Sequence, residues 1–354
     1  MKITMASCQN KYCGLGQYTH QLTQTFQRLG HEAEAYRKDD EEPPLFRAYP
    51  YRSFRQLRPY VAPYYLSRAL RSSQADVWQT DYVDAALAAL LAGKTDPLFV
   101  TIHDAIPFVY AASRWSLAVY RYQLQQTLRR ARAVVVVSEH ARQEVLKYTS
   151  VSPQRVVAVH NGIDHQRYYP PETPPQNEVF TIKYLGGLGV PHKNAQALLQ
   201  TAQLLQEKNV FFRLEIGGYL PDGHALRRYA AAHGLHTVHF AGFVLENDMT
   251  SFYQTADLFL FPSLLEGFGF PPLEAMACGT PAVVSDIPVL REVLGEAALY
   301  APTTPEGYAQ AIMTVMEQPE LLAEKRQQAI AQAARYTWEK TAQQMIDLYT
   351  QHTC

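Results

Sequence analysis

The chain has 354 residues, 47% hydrophobic and 18% charged, which is a globular composition and more length than one ordinary core needs. The formal net charge is −1, but residues 1–170 carry 21 Lys+Arg against 14 Asp+Glu and the remainder 11 against 19, so a basic half precedes an acidic one. No stretch reaches the roughly 18–20 apolar residues of a membrane helix, no signal peptide pattern opens the chain, and Cys8, Cys13, Cys278 and Cys354 lack zinc-ligand spacing; a cytoplasmic protein with reduced cysteines is expected.

In chain order, short apolar segments alternate with amphipathic ones. Residues 3–7 read as a strand, Gly14-Leu15-Gly16 as a turn, and 18–29 as a helix with Leu22, Phe26 and Leu29 on one face. Gly30 ends that helix, and 32–36 reads as the next strand. Strands are expected again at 77–79, 98–103, 133–138 and 156–160; the run from Ala133 to Val137 is apolar on both faces, as a central parallel strand requires. Asn161-Gly162 is a turn signal, and four prolines in six residues at 170–175 suit a linker. The alternation then restarts, with strands at Phe180–Leu185, 213–217, 238–241, 258–262 and 281–285. The pattern predicts two doubly wound α/β domains, each binding ligands at the carboxyl ends of its strands.

The most informative segment is 262–279. A strand ends at Pro262, the loop Glu266-Gly267-Phe268-Gly269 follows, and a helix is expected from about Pro272 to Gly279, with proline in its first turn and glycine past its end. Gly267 and Gly269 let backbone N–H groups approach a ligand closely, and a helix N-terminus suits a diphosphate. Glu274 is expected in the first turn, pairing with two ribose hydroxyls, and Glu266 on the loop, contacting sugar hydroxyls. A lone Glu there would be only a dipole-favoured helix start; two, with seven residues between them around a Gly-Phe-Gly loop, point to a site.

Lys193 stands just before the helix expected at Ala195–Glu207, where a cation costs about 0.3–1 kcal/mol unless an anion accompanies it. A bound phosphate removes that conflict; the plain alternative is an exposed lysine. His103 ends an apolar strand, as a core residue or a sugar contact, and Asn161 reads as a turn residue. Phe243 and Val244 follow Gly242 and are expected to face a base. Gly14 and Gly16 alone are a weak signal: a dinucleotide loop would want a third glycine where Thr19 stands, with Glu32 or Glu34 as its ribose acid. No Asp-x-Asp occurs, which favours charge stabilisation by Lys193, amides and a helix dipole over a metal.

Segment 262–279 resembles the Glu–seven residues–Glu motif of the retaining family 4 glycosyltransferases (glycosyl transferases group 1). His103-Asp104, Ser138-Glu139-His140, His160-Asn161-Gly162-Ile163-Asp164 and Tyr336-Thr337-Trp338-Glu339 are similar to further motifs of that family, in its order. The resemblance implies the GT-B fold, two Rossmann-like domains facing across a cleft. It implies an acceptor-side domain over 1–170, a nucleotide-sugar-binding domain over 171–335, and a final helix over 336–354 crossing back to the first. The implied reaction moves a hexose, mannose or glucose, from a nucleoside-diphosphate sugar to an acceptor hydroxyl with retention, in polysaccharide or glycolipid assembly. GDP-mannose and UDP-glucose are the expected donors, with no cofactor and no metal. Glu266, His103 and Lys193 are the expected catalytic residues. Gly14, Gly16, Lys193, Phe243, Val244, Glu266, Gly267, Phe268, Gly269 and Glu274 are expected to bind the donor. Gly187 stands where many members carry Arg, leaving neutralisation of the phosphates to Lys193 and backbone amides. A sugar-nucleotide epimerase of the same fold, a non-catalytic nucleotide-sugar-binding module and an NAD oxidoreductase are the alternatives.

Residues 43–75 contain no Asp or Glu but hold Arg47, Arg52, Arg55, Arg58, Arg68 and Arg71, interleaved with Phe46, Tyr49, Tyr51, Phe54, Tyr60, Tyr64 and Tyr65. Arginine with tyrosine suits a membrane interface. The segment 47–71 is therefore expected to meet an anionic membrane surface, placing the protein peripherally on the inner face, with a sugar or lipid-linked sugar as acceptor. A solvated helix pair and a basic groove for a soluble anionic acceptor are the alternatives; nucleic acid is not an expected partner.

Overall fold

A computed structural model describes residues 1–9, 13–38, 45–49, 58–111 and 113–353, with backbone alone at 58–60 and 353. The chain forms two units, Met1–Gly162 with Thr337–Cys354, and Ile163–Tyr336. The first contains β1 (Lys2–Ala6), α1 (Gly14–Arg28), β2 (Glu32–Lys38), β3 (Phe46–Tyr49), α2 (Arg58–Leu70), β4 (Val77–Thr80), α3 (Val83–Leu91), β5 (Leu98–Ile102), α4 (Ile106–Val109), α5 (Arg114–Arg130), β6 (Ala133–Val136), α6 (Glu139–Tyr148) and β7 (Val156–Ala158). Its seven strands run in the order β3-β2-β1-β4-β5-β6-β7, and every adjacent pair is parallel. Helices cover both faces of such a sheet, so its central strands are shielded from water on both sides; β4, β5 and β6 are buried at every residue, the polar Gln79, Thr80 and Thr101 included.

The second unit repeats the plan. It contains β8 (Phe180–Leu185), α7 (Ala195–Glu207), β9 (Phe212–Gly217), α8 (Ala225–Ala232), β10 (Val238–Gly242), α9 (Met249–Gln254), β11 (Leu258–Phe261), α10 (Phe270–Ala277), β12 (Ala282–Ser285), α11 (Pro288–Leu294), β13 (Leu299–Ala301), α12 (Pro305–Glu317) and α13 (Pro319–Ala333). Its parallel sheet has the order β10-β9-β8-β11-β12-β13. In both sheets the winding direction reverses once, between β1 and β4 and between β8 and β11. A crevice opens at the carboxyl end of such a reversal, which is where doubly wound sheets bind ligands.

A last helix, α14 (Trp338–Thr353), belongs to the first unit although it follows the second in the chain. Its Tyr349 packs on Phe99 and Phe26, with ring centroids 4.7 and 6.0 Å away, and donates a hydrogen bond to Gln79 Oε1 (3.0 Å). The units change over at Gly162–Ile163, upstream of the expected boundary at 170. Residues before the prolines already pack on the second unit: Tyr168 lies against Tyr253 at 6.0 Å, and Thr250 Oγ1 donates to the Arg167 carbonyl (2.8 Å). Gly162 itself abuts the Thr337–Trp338 backbone so closely that a Cβ has no room there.

Two edge strands, β3 and β13, were not expected; the sequences Phe-Arg-Ala-Tyr and Leu-Tyr-Ala are too short to show alternation. The stretch Gly14-Leu15-Gly16 is the first turn of α1, not a turn preceding it.

Candidate functional site

Two loops leave the carboxyl ends of β8 and β11, the neighbours at the reversal of the second sheet. They are stitched together by backbone chemistry: Leu264 N–H donates to the His192 carbonyl (2.7 Å), and Ser263 Oγ donates to the same oxygen (3.1 Å). The stitch brings together Lys193 and Glu266, 73 residues apart, with Lys193 Nζ 2.6 Å from Glu266 Oε1. Both side chains are largely buried, at 20% and 9% exposed. The conflict of a lysine beside the N-terminus of α7 is therefore met within the chain by the Glu266 carboxylate. Beneath the pair, Tyr184 is fully buried, its hydroxyl without a partner among the described residues, and burial together with the Glu266 charge raises its pKa well above the usual phenol value.

Gly267, Phe268 and Gly269 continue the loop into α10. Gly269 has φ +100° and a Cβ there would press on Leu290 Cδ2 at 2.7 Å, so the position demands glycine twice over. The Phe268 ring packs between Phe270 and Tyr336, 5.3 and 5.7 Å away, which leaves its backbone as the part able to meet a ligand. The helix begins at Phe270, earlier than expected, so Pro271 and Pro272 occupy its first turn and supply no N–H. Amide donors at this end are confined to the loop and to Phe270. The earlier start also moves Glu274 into the second turn. Its Oε2 accepts from the Tyr253 hydroxyl (2.8 Å); burial raises the carboxyl pKa, while that hydrogen bond and the Arg167 charge oppose the rise.

At the next strand ends, Phe243 is 64% exposed after β10, and Val244 packs where a Cβ on Gly217 would meet it at 3.0 Å. Tyr219, 73% exposed just beyond β9, offers a second aromatic ring that sequence reasoning passed over.

The first unit holds the remaining candidates. Gly14 is exposed and Gly16 buried in the first turn of α1, and a Cβ on Gly14 would meet nothing within 4 Å. His103 follows β5 and is 8% exposed; Tyr18 meets it edge-on with centroids 4.8 Å apart. Burial pushes its pKa down to about 3 against a hydrogen bond to the Asp81 backbone, so the ring is neutral, and its Nε2 is buried without a partner among the described residues. Tyr18 lies 6.0 Å from Trp338, whose backbone abuts Gly162, and the preceding Asn161 has both amide atoms buried without a partner among the described residues. A turn residue would expose that amide, so Asn161 is a ligand-contact candidate that the Asn-Gly signal concealed. Asp81, fully buried after β4, has its pKa raised well above the carboxylate range by burial, and Oδ2 accepts from Thr19 Oγ1 (3.2 Å). An acid directly after a strand end was the available signal.

A neutral buried histidine has a stability signature. The unfolded chain takes up the proton near pH 6.5 and the native ring only near 3, so this contribution is complete above pH 6.5 and is lost as pH falls. Replacing His103 by Gln is expected to spare about 2.5 kcal/mol of the stability lost between neutral pH and pH 4.5. Urea unfolding of both proteins across that range measures it; parallel pH profiles would show that His103 is not held neutral.

Two family models match the chain, Glycosyltransferase Family 4 over residues 12–167 and Glycosyl transferases group 1 over 171–336. The chain thus carries a Glycosyltransferase Family 4 domain followed by a Glycosyl transferases group 1 domain. Among its relatives, the serotype-specific mannosyltransferase WbdA of Escherichia coli is 29% identical over 266 residues, covering 70% of this chain and 32% of that protein. The chain thus spans about a third of the length of such relatives. Among solved structures, sucrose-phosphate synthase from Thermosynechococcus elongatus aligns with a TM-score of 0.83 at 17% identity over 99% of this chain and 98% of that one. Anabaena HepE in complex with UDP-glucose aligns with a TM-score of 0.80 at 19% identity over 99% and 100%. These likenesses establish the GT-B fold, with its two Rossmann-like units.

Proposed function

We propose that the protein transfers a hexosyl group from a nucleoside-diphosphate sugar to a hydroxyl of a sugar or lipid-linked sugar, with retention of configuration. The observation that carries the reading is the Lys193–Glu266 pair, 2.6 Å apart beside a Gly-Phe-Gly loop at the reversal of the second sheet. As the bond from the anomeric carbon to the diphosphate breaks, the electron pair leaves with the phosphate oxygen. Lys193, the loop amides and the N-terminal dipole of α10 stabilise that charge. The acceptor oxygen bonds to the anomeric carbon on the same face, and its proton passes to the departing phosphate.

Glu266 orients the sugar hydroxyls and holds the ammonium in place. Glu274 binds the ribose, Phe243 and Val244 border the base, and Gly14 and Gly16 border the phosphates. The bare Nε2 of neutral His103 accepts from a sugar hydroxyl. The mannosyltransferase relative supports mannose and the UDP-glucose complex supports UDP-glucose, so GDP-mannose and UDP-glucose are the donors in this reading. The relative's name also favours transfer over epimerisation or binding without turnover. The reaction is placed at the cytoplasmic side of a membrane and needs no metal, since the sequence has no Asp-x-Asp. Transfer is therefore expected to persist at full rate in EDTA; complete loss restored by magnesium or manganese would overturn the metal-free mechanism.

A further inference from the structure

Helices α2, α3 and α5 pack side by side over the first sheet and share one buried core, to which Ala62, Leu66, Ala86, Leu124 and Leu128 contribute. The inner face of α5 is Tyr120, Gln123, Leu124, Thr127 and Leu128. Its outer face repeats at helical spacing as Trp115, Ala118, Tyr122, Gln125 and Arg129, all exposed. Trp115 is 70% exposed and Tyr122 61%, and at the end of α4 Val109 and Tyr110 are 51% and 37% exposed. The helix carries Arg114, Arg121, Arg129 and Arg130 and no acid, and none of these guanidinium groups has a carboxylate partner among the described residues. In the same layer α2, also without an acid, exposes Tyr64, Tyr65 and Arg68.

We infer that the outer face of α5 docks on an anionic lipid surface. Indole and phenol rings settle at headgroup level, where an apolar body and a polar edge are both satisfied. Guanidinium groups with no carboxylate partner among the described residues, one of them (Arg121) lying over the Phe108 ring at 5.8 Å, match lipid phosphates. At 17 residues the helix is about 25 Å long, and the aromatic and cationic groups run along its length as a strip, not around a pocket. No helix among the described residues is long and apolar enough to cross a membrane, so the docking is peripheral. The surface overlaps the segment expected at 47–71 only at Tyr64, Tyr65 and Arg68 of α2: Arg47 is tied to Glu34 (2.8 Å), Arg52 and Arg55 lie outside the described residues, and the side chain of Arg58 does too. The inference stands on α5 alone and does not depend on the donor site.

The tryptophans supply the test. Trp78 and Trp338 are each 4% exposed, so a change in intrinsic fluorescence on binding reports Trp115. The full chain is mixed with vesicles of phosphatidylcholine, with and without phosphatidylglycerol, and with dextran sulfate as a soluble polyanion. A blue shift and loss of iodide quenching are expected with the anionic vesicles alone, fading as salt rises. Arg121→Glu with Arg129→Glu should weaken co-sedimentation at least about 100-fold, since each charge near the surface contributes about fivefold and each reversal counts twice. Trp115→Phe should abolish the shift and leave co-sedimentation largely intact. Co-sedimentation with no change at Trp115, or an equal shift with dextran sulfate, would overturn the inference; the second result would point to an acidic polymer.

Discussion

Replacing Glu266 by alanine should abolish most turnover while leaving binding of the free nucleoside diphosphate intact or tighter. In the native protein the carboxylate sits 2.6 Å from Lys193 Nζ and neutralises it. Removing it frees the ammonium for a phosphate, so the diphosphate gains a counter-charge. The sugar loses the group that orients it, and the leaving charge is met by a lysine no longer held in position. A loss of about 100- to 1,000-fold in kcat is expected, the size of one preorganised electrostatic group. Initial rates and calorimetry on the same preparation separate the two effects. Equal losses in diphosphate affinity and turnover would mean that Glu266 serves only to build the loop.

Lys193→Ala is expected to weaken diphosphate binding as well as turnover. Affinity for the nucleoside diphosphate should fall about 10- to 150-fold, as a charged hydrogen bond contributes about 1.5–3 kcal/mol, while affinity for the nucleoside stays unchanged. Folding suffers too, because Glu266 is 9% exposed and loses the cation it is paired with; breaking one partner of a buried pair costs about 3–5 kcal/mol. The double variant Lys193→Ala with Glu266→Ala should recover most of that stability and none of the turnover. A cycle of four proteins isolates the coupling. Equal loss of nucleoside and nucleoside diphosphate would remove the phosphate role from Lys193.

Why the pair was only half legible follows from where its members lie. The role of Lys193 before α7 is legible from helix-end electrostatics, and the Gly-Phe-Gly loop from its glycines, because both are local signals. The stitch of Ser263 and Leu264 to the His192 carbonyl joins distant segments and has no sequence signature. The start of α10 was placed late because two prolines looked like its first residues, when Gly269 at φ +100° caps it and Phe270 opens it. That displacement put Glu274 a turn too early. The strands of both sheets were legible wherever four or more apolar residues ran together, as at Ala133–Val136, and illegible in the edge strand β3, where Arg47 interrupts the pattern. The burial of His103, Asn161 and Asp81 is a property of packing, which residue type alone does not encode.

The most direct test of the donor site is proton NMR of the product formed from GDP-mannose or UDP-glucose with a sugar acceptor, run beside Glu266→Ala. The reading predicts a new anomeric signal of the same configuration as the donor, formed only with acceptor present and only by the native protein. Release of free or epimerised sugar without acceptor, an inverted anomer, or full product from the Glu266 variant would contradict it.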